Sequence, residues 1–254
     1  MQPAESNVIK LARLTVACTH CSLRDVCNPS GAERSARAEL DAIVRRRQPL
    51  ARGQHVFRAG EPFRAIYCVR SGCIKTYATT DDGEEQVTGF HLPGELIAID
   101  AMGMERLPTA AVALETSSIC EIPFDRLNAL ARRIPGLTEQ LFALLTQEIA
   151  HYQTLLLLVS RKTAEARLAA FLLSLSMRFG RRGFSPSEFY LSMSRNDIGN
   201  FLGMAVETVS RVFTRFDEEG LITVRRKYVR IHDLEALREV AGRPRLEHAL
   251  QAQF

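Results

Sequence analysis

The chain has 254 residues, 46% of them hydrophobic and 24% charged, which is long enough for two domains with separate cores and too ordinary for a fibrous or disordered protein. Its longest apolar run, Leu155 to Val159, is far short of the roughly 18 residues a membrane span requires, and Met1 to Lys10 lacks the basic-then-apolar pattern of a secretion signal. A cytoplasmic protein without a membrane partner is therefore expected.

The net charge of +4 is unevenly distributed: from Arg161 onward 16 Arg or Lys stand against 11 Asp or Glu. A basic C-terminal third suits a polyanion partner, and equally suits a solvated charged surface.

Near the start, Cys18, Cys21 and Cys27 are spaced C-x2-C-x5-C, with Cys120 far downstream. In a cytosolic chain, three thiols within ten residues suggest a metal before a disulfide. The two-residue gap lets two thiolates hold one centre, but it serves zinc as readily as iron and sulfide, and inert buried thiols are a third reading. Cys68 and Cys73 fall in strand-like segments and read as core thiols.

From about Pro49 to Pro123, β-branched and aromatic runs (His55 to Phe57, Ala65 to Val69, Ile74 to Thr79, Gln86 to Phe90) are punctuated by Gly60, Gly72, Gly83 and Gly94. Short strands with turn signals every 11 or 12 residues predict an all-β roll. Asp82-Gly83 is a hairpin turn, because glycine takes the positive φ such turns need.

After Pro135 the period becomes helical for about 25 residues. Phe142, Leu145, Ile149, Tyr152, Leu156 and Val159 recur at alternating steps of three and four, the seam of a coiled coil, with Leu141, Leu144, Leu155 and Leu158 as a second apolar line. Such a helix can pack on its own domain with one face and on a second copy with the other. Thr163 caps a further helix through Phe179, with Gly180 as its stop, and the loop Arg181 to Ser187 follows.

Ser194 and Asp197 form a capping box that opens a short helix, Arg195 to Leu202, broken at Gly203. A second helix, about Ala205 to Glu219, carries Val206, Val209, Val212, Phe213 and Phe216 on its inner face and ends at Gly220. Two helices around a tight glycine turn predict a helix-turn-helix, with Glu207, Ser210 and Arg211 on the outer face of the second. Arg can grip guanine bidentately, Glu accepts from the cytosine amino group, and Ser is adaptable. Leu221 to Ile231 reads as a two-stranded wing in which Arg226, with Arg225, Lys227 and Arg230, is available for phosphates.

The order β-roll, long helix, winged helix-turn-helix resembles the CRP/FNR family of bacterial regulators. The stretches Asp197-Ile198-Gly199-Asn200-Phe201-Leu202-Gly203 and Val206-Glu207-Thr208-Val209-Ser210-Arg211 are similar to its FNR branch. The likeness runs from about Cys18 to Ile231 and includes Arg70-Ser71-Gly72, Gly89-Phe90-His91-Leu92-Pro93-Gly94, Leu114-Glu115-Thr116 and Arg182-Gly183-Phe184-Ser185-Pro186.

The resemblance implies an α+β chain in four parts. A cysteine-rich cluster-binding segment spans 1–30, and a cyclic-nucleotide-binding-like double-stranded jelly roll spans 31–134. A dimerisation helix covers 135–161 and a winged helix-turn-helix domain 162–254. It further implies that Cys18, Cys21, Cys27 and Cys120 hold a [4Fe–4S] cluster whose loss to oxygen dissolves the active homodimer. The implied DNA partner is an inverted repeat like TTGAT-N4-ATCAA. Asp81, Asp82 and Gly83, an acidic tip, would touch RNA polymerase.

Two rivals fare worse. Cyclic-AMP-binding relatives carry an Arg-Ser pair late in the roll for the phosphate; aligned on Gly94-Glu95-Leu96, this chain reads Leu107-Pro108-Thr109-Ala110, so no cyclic nucleotide is expected. A cupin-like enzyme needs clustered metal-binding histidines, but His20, His55, His91, His151, His232 and His248 form no His-x-His pair. Neither a phosphate-binding Gly-rich loop nor a zinc-protease helix motif occurs, so the chain is not expected to be an enzyme.

Overall fold

The computed structural model describes residues 34–161 and 163–242; Cys18, Cys21 and Cys27, with the whole segment 1–30, lie outside the described residues. Helix α1 (Arg34–Ile43) leads into β1 (Arg45–Arg46), followed by β2 (His55–Phe57), β3 (Ala65–Ser71), β4 (Ile74–Thr79), β5 (Glu85–His91), β6 (Leu96–Ile97), β7 (Ala110–Ala113) and β8 (Ser118–Pro123). They form two four-stranded sheets, ordered β1-β8-β3-β6 and β2-β7-β4-β5.

Val56, Phe57, Tyr67, Val69, Ile74, Ile97 and Ile119 fill the space between the sheets. Side chains alternate across a strand, so β3 places Ala65, Tyr67 and Val69 in this core and Ile66 on the opposite face, beneath helices. That double burial explains why β3 reads as a continuous apolar run. At the β3–β4 turn, Gly72 has φ +83°, and a Cβ there would stand 2.2 Å from Ser117 Oγ and 2.8 Å from the Thr116 carbonyl oxygen. The predicted hairpin tip is present: Gly83 has φ +82° and donates its N–H to Thr80 O at 2.9 Å.

Helix α2 (Phe124–Ala131) precedes α3 (Pro135–Arg161), which has the span the periodicity predicts. Leu137, Leu141, Leu144 and Leu145 pack on Ile66, Ile99 and Leu127 of the roll side. Phe142, Ile149 and Leu156, seven residues apart, are 65%, 58% and 70% exposed. The six-residue seam thus divides: Leu145 faces the chain's own roll, whereas Phe142, Ile149 and Leu156 make a bare apolar line. Helix α4 (Ala164–Gly180) begins as expected, with the Thr163 hydroxyl accepting from Ala166 N at 3.2 Å. Gly180 is not its stop: it is the last helical residue, Arg181 continues right-handed, and the left-handed residue is Gly183.

The C-terminal unit contains β9 (Glu188–Tyr190), α5 (Arg195–Leu202), α6 (Val206–Glu218), β10 (Ile222–Arg225), β11 (Tyr228–Ile231) and α7 (Leu234–Ala241). Its sheet is ordered β10-β11-β9, so the expected two-stranded wing gains a third strand. Phe189 of β9 is buried opposite Val229, and three residues after a Pro- and Ser-rich loop are too short a run to announce a strand. The core of this unit, with Phe171, Leu175, Ile198, Phe213 and Phe216, continues without a break into Cys73, Val87, Phe90 and Leu92 of the roll. No helix among the described residues is long and apolar enough to cross a membrane.

Candidate nucleic-acid interface and cysteine site

Helix α5 is built by its capping box: the Ser194 side chain accepts from Asp197 N, and the Asp197 carboxylate accepts from Ser194 N at 2.9 Å. The helix ends at Gly203 in the left-handed conformation, φ +62°. Arg167 of α4 donates to the Leu202 and Gly203 carbonyls at 3.1 Å each, satisfying acceptors that a helix end leaves open. Gly199 permits the tight approach of α5 and α6, since a Cβ there would meet the Met204 carbonyl oxygen at 2.6 Å.

Val209, Val212, Phe213 and Phe216 fix the inner face of α6, leaving Glu207, Ser210 and Arg211 exposed on the outer face. Thr208 Oγ1 accepts from the Arg211 guanidinium at 3.2 Å, which orients that side chain along the helix. The Arg195 guanidinium lies 3.2 Å from the centre of the Phe213 ring, tying α5 to α6, and burial lowers its pKa to about 10. At the tip of the wing Arg226 is exposed with φ +57°, and Lys227 beside it donates to Ser192 O at 3.2 Å. Glu207, Ser210 and Arg211 and the wing cation Arg226 therefore belong to one continuous module.

This module is docked on the roll. Arg178 of α4 and Arg182 of the turn that follows it converge on Glu95, with N–O distances of 2.5 and 2.7 Å. Arg178 also donates to Phe90 O, and Arg182 to Pro93 O. Burial alone would raise the Glu95 carboxyl, but the Arg178 charge and hydrogen bond, with Arg182, overcome it and hold the group at about 2. Lys75 of β4 reaches Asp197 at 3.1 Å, and the Asn200 amide bridges to β5 through Val87 N and Glu85 O. Nothing in the sequence signals these contacts: Asp197 is expected only as half of a capping box, Arg182 and Asn200 only within family-like stretches, and Glu95 only as an alignment anchor.

A second polar cluster lies between the roll and α3, where Thr76, His91, Asp100, Thr109, Glu148 and Tyr152 line a hollow with room for about one water. Tyr152, placed in the seam by periodicity, faces this hollow and is hydrogen-bonded to Glu148. Burial raises the Glu148 carboxyl, and neighbouring Asp100 raises it further; burial raises Asp100 as well.

Cys120 lies in β8 and is half-buried. It pairs directly with Cys68 of β3 on one side and with Arg46 of β1 on the other. Cys68 is buried, as expected of a core thiol, and so is Cys73, whose pKa burial pushes up to about 12. Asp81, Asp82 and Gly83, the residues expected to meet a protein partner, sit exposed at the β4–β5 tip.

Comparison with known proteins decides the lineage. Residues 47–133 match the cyclic nucleotide-binding domain family and residues 166–240 the Crp-like helix-turn-helix domain family. The chain is 50% identical over 238 residues to the transcriptional activator protein anr of Pseudomonas aeruginosa, covering 93% of this chain and 98% of that one. It is 46% identical over 230 residues to the fumarate and nitrate reduction regulatory protein of Escherichia coli K12, covering 91% and 92%. The chain belongs to the CRP/FNR family. Among solved structures it resembles FixK2 from Bradyrhizobium japonicum, with a TM-score of 0.74 and 26% identity over 80% of this chain and 99% of that one. As a CRP/FNR regulator it is a DNA-binding transcription factor and not an enzyme, and its α+β architecture is that of the family.

Proposed function

We propose that this regulator responds to oxygen, binding inverted-repeat promoter sites as a homodimer while Cys18, Cys21, Cys27 and Cys120 hold a [4Fe–4S] cluster. The observation that carries the reading is the position of Cys120. It pairs with Arg46, and the adjoining α1 places Leu40 and Ile43 in the same apolar cluster as the roll-facing leucines of α3. A ligand set joining the N-terminal segment to β8 would therefore act on the base of the dimerisation helix. The donor set fits the group: four thiolates suit iron and sulfide. From Cys27 to Arg34 is seven residues, a reach of up to about 25 Å in extended chain. Bound there, the cluster supplies an oxygen-labile tie between the N-terminal segment and the roll.

The remaining work falls to the protein's own side chains. The bare line Phe142, Ile149 and Leu156 would be buried against its copy in a parallel pair. Pairing presents two α6 helices about one DNA turn apart, where Arg211 reads guanine, Glu207 a cytosine, Ser210 a thymine, and Arg226 a phosphate of a TTGAT-N4-ATCAA-like site. Asp81, Asp82 and Gly83 would then face RNA polymerase. A cyclic nucleotide is disfavoured because the hollow beside α3 is small and presents Asp100 and Glu148, a poor setting for a phosphate.

The test is to purify the protein without air, quantify iron, sulfide and zinc, record the visible spectrum, and measure binding to a promoter fragment before and after admitting oxygen. About four irons and four sulfides per chain with oxygen-sensitive binding support the reading; stoichiometric zinc without sulfide overturns it.

A further inference from the structure

We infer that Cys68 is the resolving partner of Cys120, so that the two form a reversible cross-strand disulfide when the chain meets a peroxide. The register of β3 and β8 pairs Cys68 with Cys120 directly. Directly opposed residues of an antiparallel ladder point to the same face, with Cα atoms about 4.5 or 5.5 Å apart, both inside the roughly 4.4–6.8 Å range of disulfides. The neighbouring pair Ile66 and Ile122 lies on this same face, in the cluster under the helices. Both thiols thus stand on the helix-covered face of the sheet and not between the sheets.

The two differ in access. Cys68 is 5% exposed, whereas Cys120 is half-buried. Peroxide therefore meets Cys120 first: its sulfur takes one oxygen to give a sulfenic acid, and water leaves. The Cys68 sulfur then attacks the Cys120 sulfur, forming the S–S bond and releasing the second oxygen as water, so that two thiols and one peroxide yield one disulfide and two waters. The second step needs no solvent access to Cys68, because the partner is already beside it. Cys73 cannot substitute, being buried in the cluster that joins the roll to α4.

The chemical consequence is protection. A sulfenic acid left alone proceeds to a sulfinic acid that thiols do not reverse, whereas a disulfide returns to two thiols on reduction. The pairing itself is independent of what Cys120 ligates; only its effect on cluster uptake rests on the proposed function.

The experiment uses the full-length apo protein, treated with a few equivalents of hydrogen peroxide, alkylated, digested without reductant and analysed by mass spectrometry. The expected product is a linked peptide containing Cys68 and Cys120, two hydrogens lighter than the separate peptides and abolished by reductant. In Cys68→Ala, Cys120 should instead react with dimedone, and with excess peroxide should show several-fold more sulfinic acid than the parent. Cys120 linked to Cys18, Cys21 or Cys27, or a Cys120 sulfinic acid in the parent with Cys68 still a thiol, overturns the inference. The parent digest decides this without a variant. Iron content of Cys68→Ala, expected to match the parent, reports on the cluster separately.

Discussion

Lys75 of the roll and Asp197 of α5, the first helix of the helix-turn-helix, are joined at 3.1 Å by a largely buried ion pair, and the same carboxylate closes the capping box of that helix. The helix-turn-helix is thus held to the roll within the first turn of its first helix. Glu95, gripped by Arg178 and Arg182, is the second fastening. Removing one member of a buried pair strands the other charge, at a cost of about 3–5 kcal/mol. Glu95→Gln should therefore lower thermal stability more than Lys75→Ala, and both should separate unfolding of the DNA-binding unit from that of the roll in calorimetry. In the parent, Glu95 binds its proton only at about pH 2, below the ordinary carboxylate value, so its contribution is present above about pH 4.5 and is lost as pH falls toward 2. A single unchanged transition in Glu95→Gln would contradict this role.

The bare line on α3 gives a test of assembly. Ile149→Glu sets like charges face to face in a pair while leaving the roll-facing leucines in place, so the variant should sediment as a folded monomer at micromolar concentration and lose operator binding. A dimer of undiminished stability would move the interface elsewhere.

Base reading separates from backbone holding. Arg211→Ala should cost about 1–3 kcal/mol on the parent site and relax the guanine preference in a binding selection on randomised half-sites. Arg226 has a left-handed backbone, which Asn tolerates, so Arg226→Asn removes the charge without adding strain. It should weaken all sequences alike and reduce the salt dependence by about one counterion per subunit.

The acidic tip belongs to the β4–β5 turn of the roll and is not part of α6. Asp81→Lys with Asp82→Lys should leave promoter binding intact and reduce transcription in a purified system. Equal transcript yields from variant and parent would assign the tip to solvation.

The Asp100–Glu148 pair works against the fold at neutral pH. Both carboxyls are raised by burial, so the native state holds protons that the unfolded chain has released, and stability falls as pH rises from the unfolded value through the native one. Glu148→Gln should raise Tm at pH 7.5, and the advantage should vanish below the ordinary carboxylate range, where both states are protonated. A lower Tm at pH 7.5 would show that the carboxylate stabilises the site.

What the sequence disclosed was mostly local. Ser194, Asp197 and Gly203 mark α5 because a capping box and a left-handed stop act within a few residues, and Val209 to Phe216 mark α6 by period. The seam was legible as a repeat, but a repeat does not say which neighbour each residue meets, and Tyr152 turned toward Glu148. The fastenings between Lys75 and Asp197 or Glu95 and Arg178 span 122 and 83 residues with no pattern to connect them. Cys68 beside Cys120 follows from strand register, which emerges only when β3 and β8 are paired. The N-terminal cysteines were read by spacing and resemblance, and lie outside the described residues.

Because Val87, Phe90 and Leu92 are buried in one cluster with Phe171, Leu172 and Phe201, a cut at the junction near residue 162 divides a hydrophobic interior and not a linker. The roll expressed alone would present that apolar patch to water and should self-associate, and the isolated DNA-binding unit would lack the floor on which Phe171 and Phe201 rest. Chimaeras that exchange reading heads between relatives should therefore carry the β5 side chains of the head's own parent, or they will fold with a mismatched joint.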